Sequence, residues 1–147
     1  GLELALLVDM RVAEESSIFG VYCRRWGVPL IDGGTIRLPR IVGMGRAMDM
    51  ILTGRPVNAQ EALEFGLVNR VVPDGHSRSE AEKIAHEISK FPQACMRADR
   101  FSAHEHWNLP LEEALRREGS AGQSIMDQEG KIGAARFVDG AGRHGQF

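Results

Sequence analysis

The sequence predicts an α/β region followed by a helical region, with the texture changing near residue 76. The first observation is glycine punctuation. From Gly1 to about Gly75, short apolar runs are separated by Gly20, Gly27, Gly33, Gly34, Gly43, Gly45, Gly54 and Gly66, spacing that suits short strands and short helices in tight succession. The second is the run from Ser77 onward, where Ala81, Ile84, Ile88 and Phe91 form a helical stripe. The expected organisation is therefore 1–76 and 77–147. No internal repeat or low-complexity tract interrupts it.

In chain order, Gly1–Val8 reads as an apolar, helix-like run, and Met10–Ala13 and Val68–Val72 read as brief strands. Ala47–Leu52 reads as a helix ended by Thr53-Gly54. Asn58-Ala59-Gln60-Glu61 has the form of a capping box, with Asn58 accepting from the Glu61 amide and Glu61 reaching back. Its helix is expected to end at Gly66 in the left-handed cap position. Ser77-Arg78-Ser79-Glu80 reads as a second capping box. Pro92 stops that helix and opens another to about Trp107, and Pro110 opens a third with Leu111, Leu115, Gly122, Ile125 and Met126 on one face. The tail, Gly140–Phe147, is too glycine-rich for helix, and Arg143-His144 is expected to be flexible.

Composition bounds the function classes. With 147 residues, 43% hydrophobic and 26% charged, the chain is ordinary for a globular domain. A net charge of −2 gives no electrostatic footprint for nucleic acid or an anionic membrane surface. No stretch approaches the roughly 20 apolar residues that span a bilayer. Cys23 and Cys95 make neither a disulfide framework nor a metal motif, so free thiols in a reducing compartment are expected. The opening run lacks a basic leading region and carries Glu3 and Asp9, unlike a signal peptide. It starts without Met on an apolar run, and a start further upstream is expected.

Several residue groups are of types that can carry chemistry. His104-Glu105-His106 looks like a metal pair, but positions two apart on a helix point about 200° apart and do not share an ion. Arg24-Arg25 reads as a solvated pair, or as a partner for phosphates at a pocket mouth. Trp26 reads equally as an acyl pocket wall or as core. Cys23 reads as a small buried filler rather than a nucleophile beside Arg24.

An ordered set of matches goes further than periodicity. Gly1-Leu2-Glu3-Leu4-Ala5, Asp9, Phe19-Gly20, Gly27, Gly33-Gly34, Leu38-Pro39-Arg40 and Gly43 stand in order and spacing, followed by Leu52-Thr53-Gly54, Ala59, Glu61-Ala62, Gly66-Leu67-Val68 and Val71-Val72. Asp127, Glu129-Gly130 and Phe137 complete it. In this the chain resembles the carboxyl-terminal part of the crotonase (enoyl-CoA hydratase/isomerase) family. The resemblance implies a partial crotonase-like spiral of ββα turns over 1–76 and a helical oligomerisation region over 77–147.

It also implies acyl-CoA chemistry through a thioester enolate held by two backbone amides, an oxyanion hole. One amide is expected from the family's amino-terminal half and the other from the residue just before Gly1. Gly1 then lies beside the hole, at the start of a helix whose dipole favours the developing charge. Glu3 matches the family's first catalytic glutamate and is the expected acid/base. Its bland reading is a helix-start acid facing the dipole.

Cys23 stands where the family's hydratases carry a second glutamate, and Val28-Pro29-Leu30-Ile31 replaces the loop after it. A thiol does not replace a carboxylate without retuning. Two-glutamate hydration is thereby put in doubt, and isomerase, decarboxylase or other enolate chemistry stays open. The resemblance implies no metal, nucleotide or redox cofactor, with CoA arriving as part of the substrate. It implies self-association as trimers or hexamers and a cytoplasmic protein, in the mitochondrial matrix if eukaryotic. The competing reading is a non-catalytic acyl-CoA-binding or assembly module.

Overall fold

The computed structural model describes residues 1–142 and 144, which form two compact units, 1–85 and 86–147. The expected tail falls partly outside the described residues: 139–142 are turns, and Arg143, Gly145, Gln146 and Phe147 are not described.

The first unit begins with α1 (Leu2–Ala5), a single turn starting at Gly1. β1 (Val12–Glu14) and β2 (Ile18–Phe19) follow, then a 3₁₀ turn over Tyr22–Trp26. α2 (Gly34–Val42) and α3 (Met44–Thr53) come next, then β3 (Val57–Asn58), α4 (Ala59–Glu64) and β4 (Arg70–Val72). β1 pairs in parallel with β4, Val12 opposite Arg70 and Glu14 opposite Val72, while β2 pairs antiparallel with β3. The first expected strand thus starts two residues late. The Arg11 amide donates to Asn69 Oδ1 (2.8 Å) and its carbonyl accepts from the Asn69 amide (2.8 Å), just outside the ladder.

The core of this unit joins α2, α3 and α4. Leu38, Met50, Val57 and Leu67 are fully buried, with Ala47, Ala62 and Val68 around them. α4 is capped as expected at both ends. The Glu61 amide donates to Asn58 Oδ1 (2.8 Å). At the other end Gly66 takes φ +74°, the Gly66 amide donates to the Leu63 carbonyl (3.0 Å), and the Leu67 amide donates to that of Ala62 (2.8 Å). That is a Schellman closure, which needs the left-handed glycine. The Glu61 side chain does not reach back. It takes the Arg55 guanidinium in two bonds (2.9 and 2.7 Å), a charge-assisted fork that wins over a neutral amide.

α5 (Ser77–Ser89) closes this unit and runs past its boundary. The second predicted capping box does not form. The Ser77 hydroxyl donates to Glu14 Oε1 (2.7 Å), and the Ser79 hydroxyl donates to the His76 carbonyl (2.9 Å). Ser77 is already the first residue of α5, so the Glu80 amide donates to the His76 carbonyl (3.1 Å) and not to a serine hydroxyl.

The second unit contains α6 (Gln93–Glu105), a 3₁₀ turn at His106–Asn108, α7 (Leu111–Ile125), a π-helical turn at Met126–Gly130 and α8 (Lys131–Val138). Pro92 and Pro110 stand immediately before α6 and α7, as their missing N–H predicts. α6 packs along α7. The Glu129 carboxylate, carried on the π turn, accepts from the amides of Ala94 (3.1 Å) and Cys95 (2.8 Å) and so closes the start of α6. No described residue from 86 onward is fully buried. No described helix is long and apolar enough to cross a membrane.

Candidate active site

α1 carries Glu3, and the start of α2 receives it. Glu3 Oε1 accepts two backbone amides, those of Gly34 (2.7 Å) and Asp32 (3.0 Å). The carboxylate is half-buried. Oε2 takes no hydrogen bond among the described residues, so the carboxylate is anchored through one oxygen. The approach is close because Gly34 has no side chain: a Cβ there would stand 2.7 Å from Oε1 and 3.0 Å from Cγ of Glu3.

The far end of α1 is fixed by Arg11. Its Nε donates to the Leu67 carbonyl (2.6 Å) and Nη1 to those of Val8 (2.6 Å) and Ala5 (3.4 Å). Burial pushes this guanidinium below its ordinary pKa, against the pull of Asp9. Gly1 is exposed and precedes α1. Gly1 is the N-cap of α1, a helix of 4 residues. Glu3 is held by the amides of Asp32 and Gly34.

Cys23 and Trp26 both lie in the 3₁₀ turn. Cys23 is half-buried and packs against the core. Trp26 is 83% exposed, which overturns its reading as core. Arg24 and Arg25 are both exposed, as a surface pair should be, and each also meets a carbonyl. Arg24 Nε donates to the Ile51 carbonyl (3.0 Å) and Arg25 Nη2 to that of Gly54 (2.8 Å), so they finish the carbonyls at the end of α3, where orphan acceptors are expected. Arg25 also lies 4.9 Å over the Tyr22 ring. Among the described residues no hydrogen bond joins the Cys23 thiol to Glu3, and Cys23 and Cys95 are free thiols.

Glu105 pairs with Arg117 (2.8 Å), while His106 lies against Trp107 (4.8 Å between centroids). No group of three or more metal-ligating side chains is found among the described residues. Sequence reasoning missed the Asp32 and Gly34 amides as the anchors of Glu3. The signal for them was the Asp-Gly-Gly entry to α2, which marks a backbone brought close to something.

Residues 1–142 match the model of the enoyl-CoA hydratase/isomerase family. The chain belongs to that family. It is 35% identical over 140 residues to a crotonyl-CoA hydratase of Syntrophomonas wolfei, covering 95% of this chain and 54% of the relative. It is 33% identical to an enoyl-CoA hydratase of Mycobacterium tuberculosis, EchA19, covering 95% and 53%. A crystal structure of the enoyl-CoA hydratase from Bacillus anthracis superposes with a TM-score of 0.87 at 34% identity, over 95% of this chain and 54% of that one. The chain thus spans about half the length of the relatives it matches, as their carboxyl-terminal part, and its fold is α/β with carboxyl-terminal helices.

Proposed function

We propose that the chain carries the acid/base part of an enzyme acting on acyl-CoA thioesters through an enolate, with Glu3 moving the proton. The observation that carries this reading is the Glu3 carboxylate, anchored through Oε1 to the Asp32 and Gly34 amides and with no hydrogen bond at Oε2 among the described residues. A carboxylate with one fixed oxygen has a defined direction, which is what a general acid or base needs. Family membership supplies the substrate class, enoyl-CoA or a related thioester. The thioester oxygen needs two amide donors as its charge develops. Our reading assigns both to sequence outside these residues, since the chain spans about half of its relatives. No cofactor beyond the CoA of the substrate enters this reading, and cytoplasm, or the matrix of a mitochondrion, is the compartment it fits.

The test uses the full reading frame that encodes the chain, assayed with crotonyl-CoA and with a 3-enoyl-CoA. Glu3→Gln is expected to lower turnover by roughly 10²–10⁴, the usual worth of a positioned acid or base. Residues 1–147 alone are expected to show no turnover, because losing even one oxyanion donor costs about 10²–10³. Full activity in Glu3→Gln sinks the assignment of Glu3, and robust hydration by the isolated chain sinks the placement of the oxyanion donors. Cys23→Ala is expected to matter little, as a thiol packed on the core contributes shape.

A further inference from the structure

We infer that Arg11 is a positioning residue for the proton transfer: its guanidinium holds α1 where the Asp32 and Gly34 amides receive Glu3. The inference rests on the reading of Glu3 just given. α1 has little to keep it in place by itself. A helix of 4 residues closes too few backbone bonds to be stable alone. None of those residues is buried, and Leu4 is exposed. The Glu3 carboxylate ties the helix to the start of α2 (2.7 Å to the Gly34 amide). That tie cannot serve as the only anchor of an acid/base. Each time Glu3 holds a proton its charge is gone, and a charge-assisted bond to an amide loses about half its strength. A second anchor is needed whose charge does not change during turnover, and a guanidinium meets that need.

Arg11 is itself fixed to the core. Its amide donates to Asn69 Oδ1 and its carbonyl accepts from the Asn69 amide, beside the pairing of Val12 with Arg70. From this footing its Nε donates to the Leu67 carbonyl (2.6 Å), and Leu67 is fully buried in the closure that ends α4. Its Nη1 turns the other way, to the carbonyls of Val8 (2.6 Å) and Ala5 (3.4 Å). Ala5 is the last residue of α1, where acceptors are left without helical partners. One rigid, planar group therefore joins the core to the end of the helix that carries Glu3. Without it the chain from Ala5 to Met10 keeps Leu6 in the core but loses the bonds that set the angle of α1.

Arg11→Met and Arg11→Lys test this in the full reading frame, with crotonyl-CoA for turnover and butyryl-CoA, which has no double bond to hydrate, for binding. Methionine keeps an apolar stem and removes the donors. Turnover by Arg11→Met is expected to fall about 10²-fold, the cost of an ångström of misplacement at a catalytic group. The number of butyryl-CoA sites per chain is expected to stay full, with affinity within about twofold of the parent. Lysine offers one nitrogen where arginine uses two, so Arg11→Lys is expected to recover part of the rate and still fall about tenfold below the parent. Should Arg11→Met fail to fold, Arg11→Lys is read by the same split between rate and binding. Sites or affinity lost in step with rate would make Arg11 a residue of the fold alone and overturn the inference. So would turnover within about threefold of the parent in both Arg11 variants while Glu3→Gln is inactive, since Glu3 would then be placed without Arg11. Full activity in Glu3→Gln removes the Glu3 reading itself, and the role of Arg11 with it.

Discussion

An added methyl at Gly34 would meet Glu3 Oε1, Cγ and Cδ at 2.7, 3.0 and 3.1 Å. Gly34 is the first residue of α2, with no left-handed backbone requirement, so alanine suits the helix itself. Gly34→Ala is therefore expected to shift unfolding stability by less than about 1 kcal/mol. Turnover is expected to fall about 10²-fold, since a displacement of an ångström at a catalytic group costs about that much. Urea unfolding and a crotonyl-CoA assay on the same preparation separate the two effects; equal loss in both would mean the glycine is structural. Glu14 gives a second residue-scale expectation. The Ser77 hydroxyl and the Gly75 and Ser77 amides hold its carboxyl below the usual carboxylate range. A folded value lowered in this way stabilises fully above the ordinary carboxylate pKa, and the contribution is lost as pH falls through the folded one. The urea midpoint is expected to decline between about pH 5 and 3, and less steeply in Glu14→Gln. Parallel curves would show that the Ser77 bond is too solvent-screened to matter.

Among the elements, α4 was the most legible in sequence, because both of its caps are local. Asn58 to the Glu61 amide and Gly66 at φ +74° each need only a few neighbouring residues. Asn58→Ala is expected to cost about 0.5–2 kcal/mol in urea unfolding, with Asn58→Asp close to the parent. No measurable change would mean that tertiary packing, with Ala59 and Ala62 buried, holds α4 without its cap. What the sequence hid depends on distant partners. Glu61 left its box for Arg55, and Ser77 left its own for Glu14, 63 positions away. α2 was obscured by Pro39, which sits inside the helix where its ring removes one backbone donor. β2 and β3, of 2 residues each, are too short for alternation to register. In the site, Glu3 was readable from family resemblance. Asp32 and Gly34 were not, because their amides meet a carboxylate 29 and 31 positions away in sequence.

At the scale of the molecule, the two units differ in how they bury apolar surface. The first has a core of fully buried Leu38, Met50, Val57 and Leu67, whereas the second buries no described residue fully. Phe101 (65%), Leu111 (74%), Leu115 and Phe137 stand exposed on α6, α7 and α8. Burial is worth roughly 25 cal/mol per Å² of apolar surface, so helices that leave such side chains in water forgo several kcal/mol that a partner surface would recover. Patches of this kind mark association sites in soluble proteins. The second unit is therefore expected to drive self-association, through a symmetric contact of roughly 800 Å² per partner if it is stable. Sedimentation equilibrium of the whole chain at micromolar concentration should give a dimer or larger species. Leu111→Glu combined with Phe101→Glu should shift it toward monomer while circular dichroism keeps its helical signal. A parent chain that is cleanly monomeric would refute the expectation. So would an oligomer indifferent to both substitutions, since the contact would then lie on another surface.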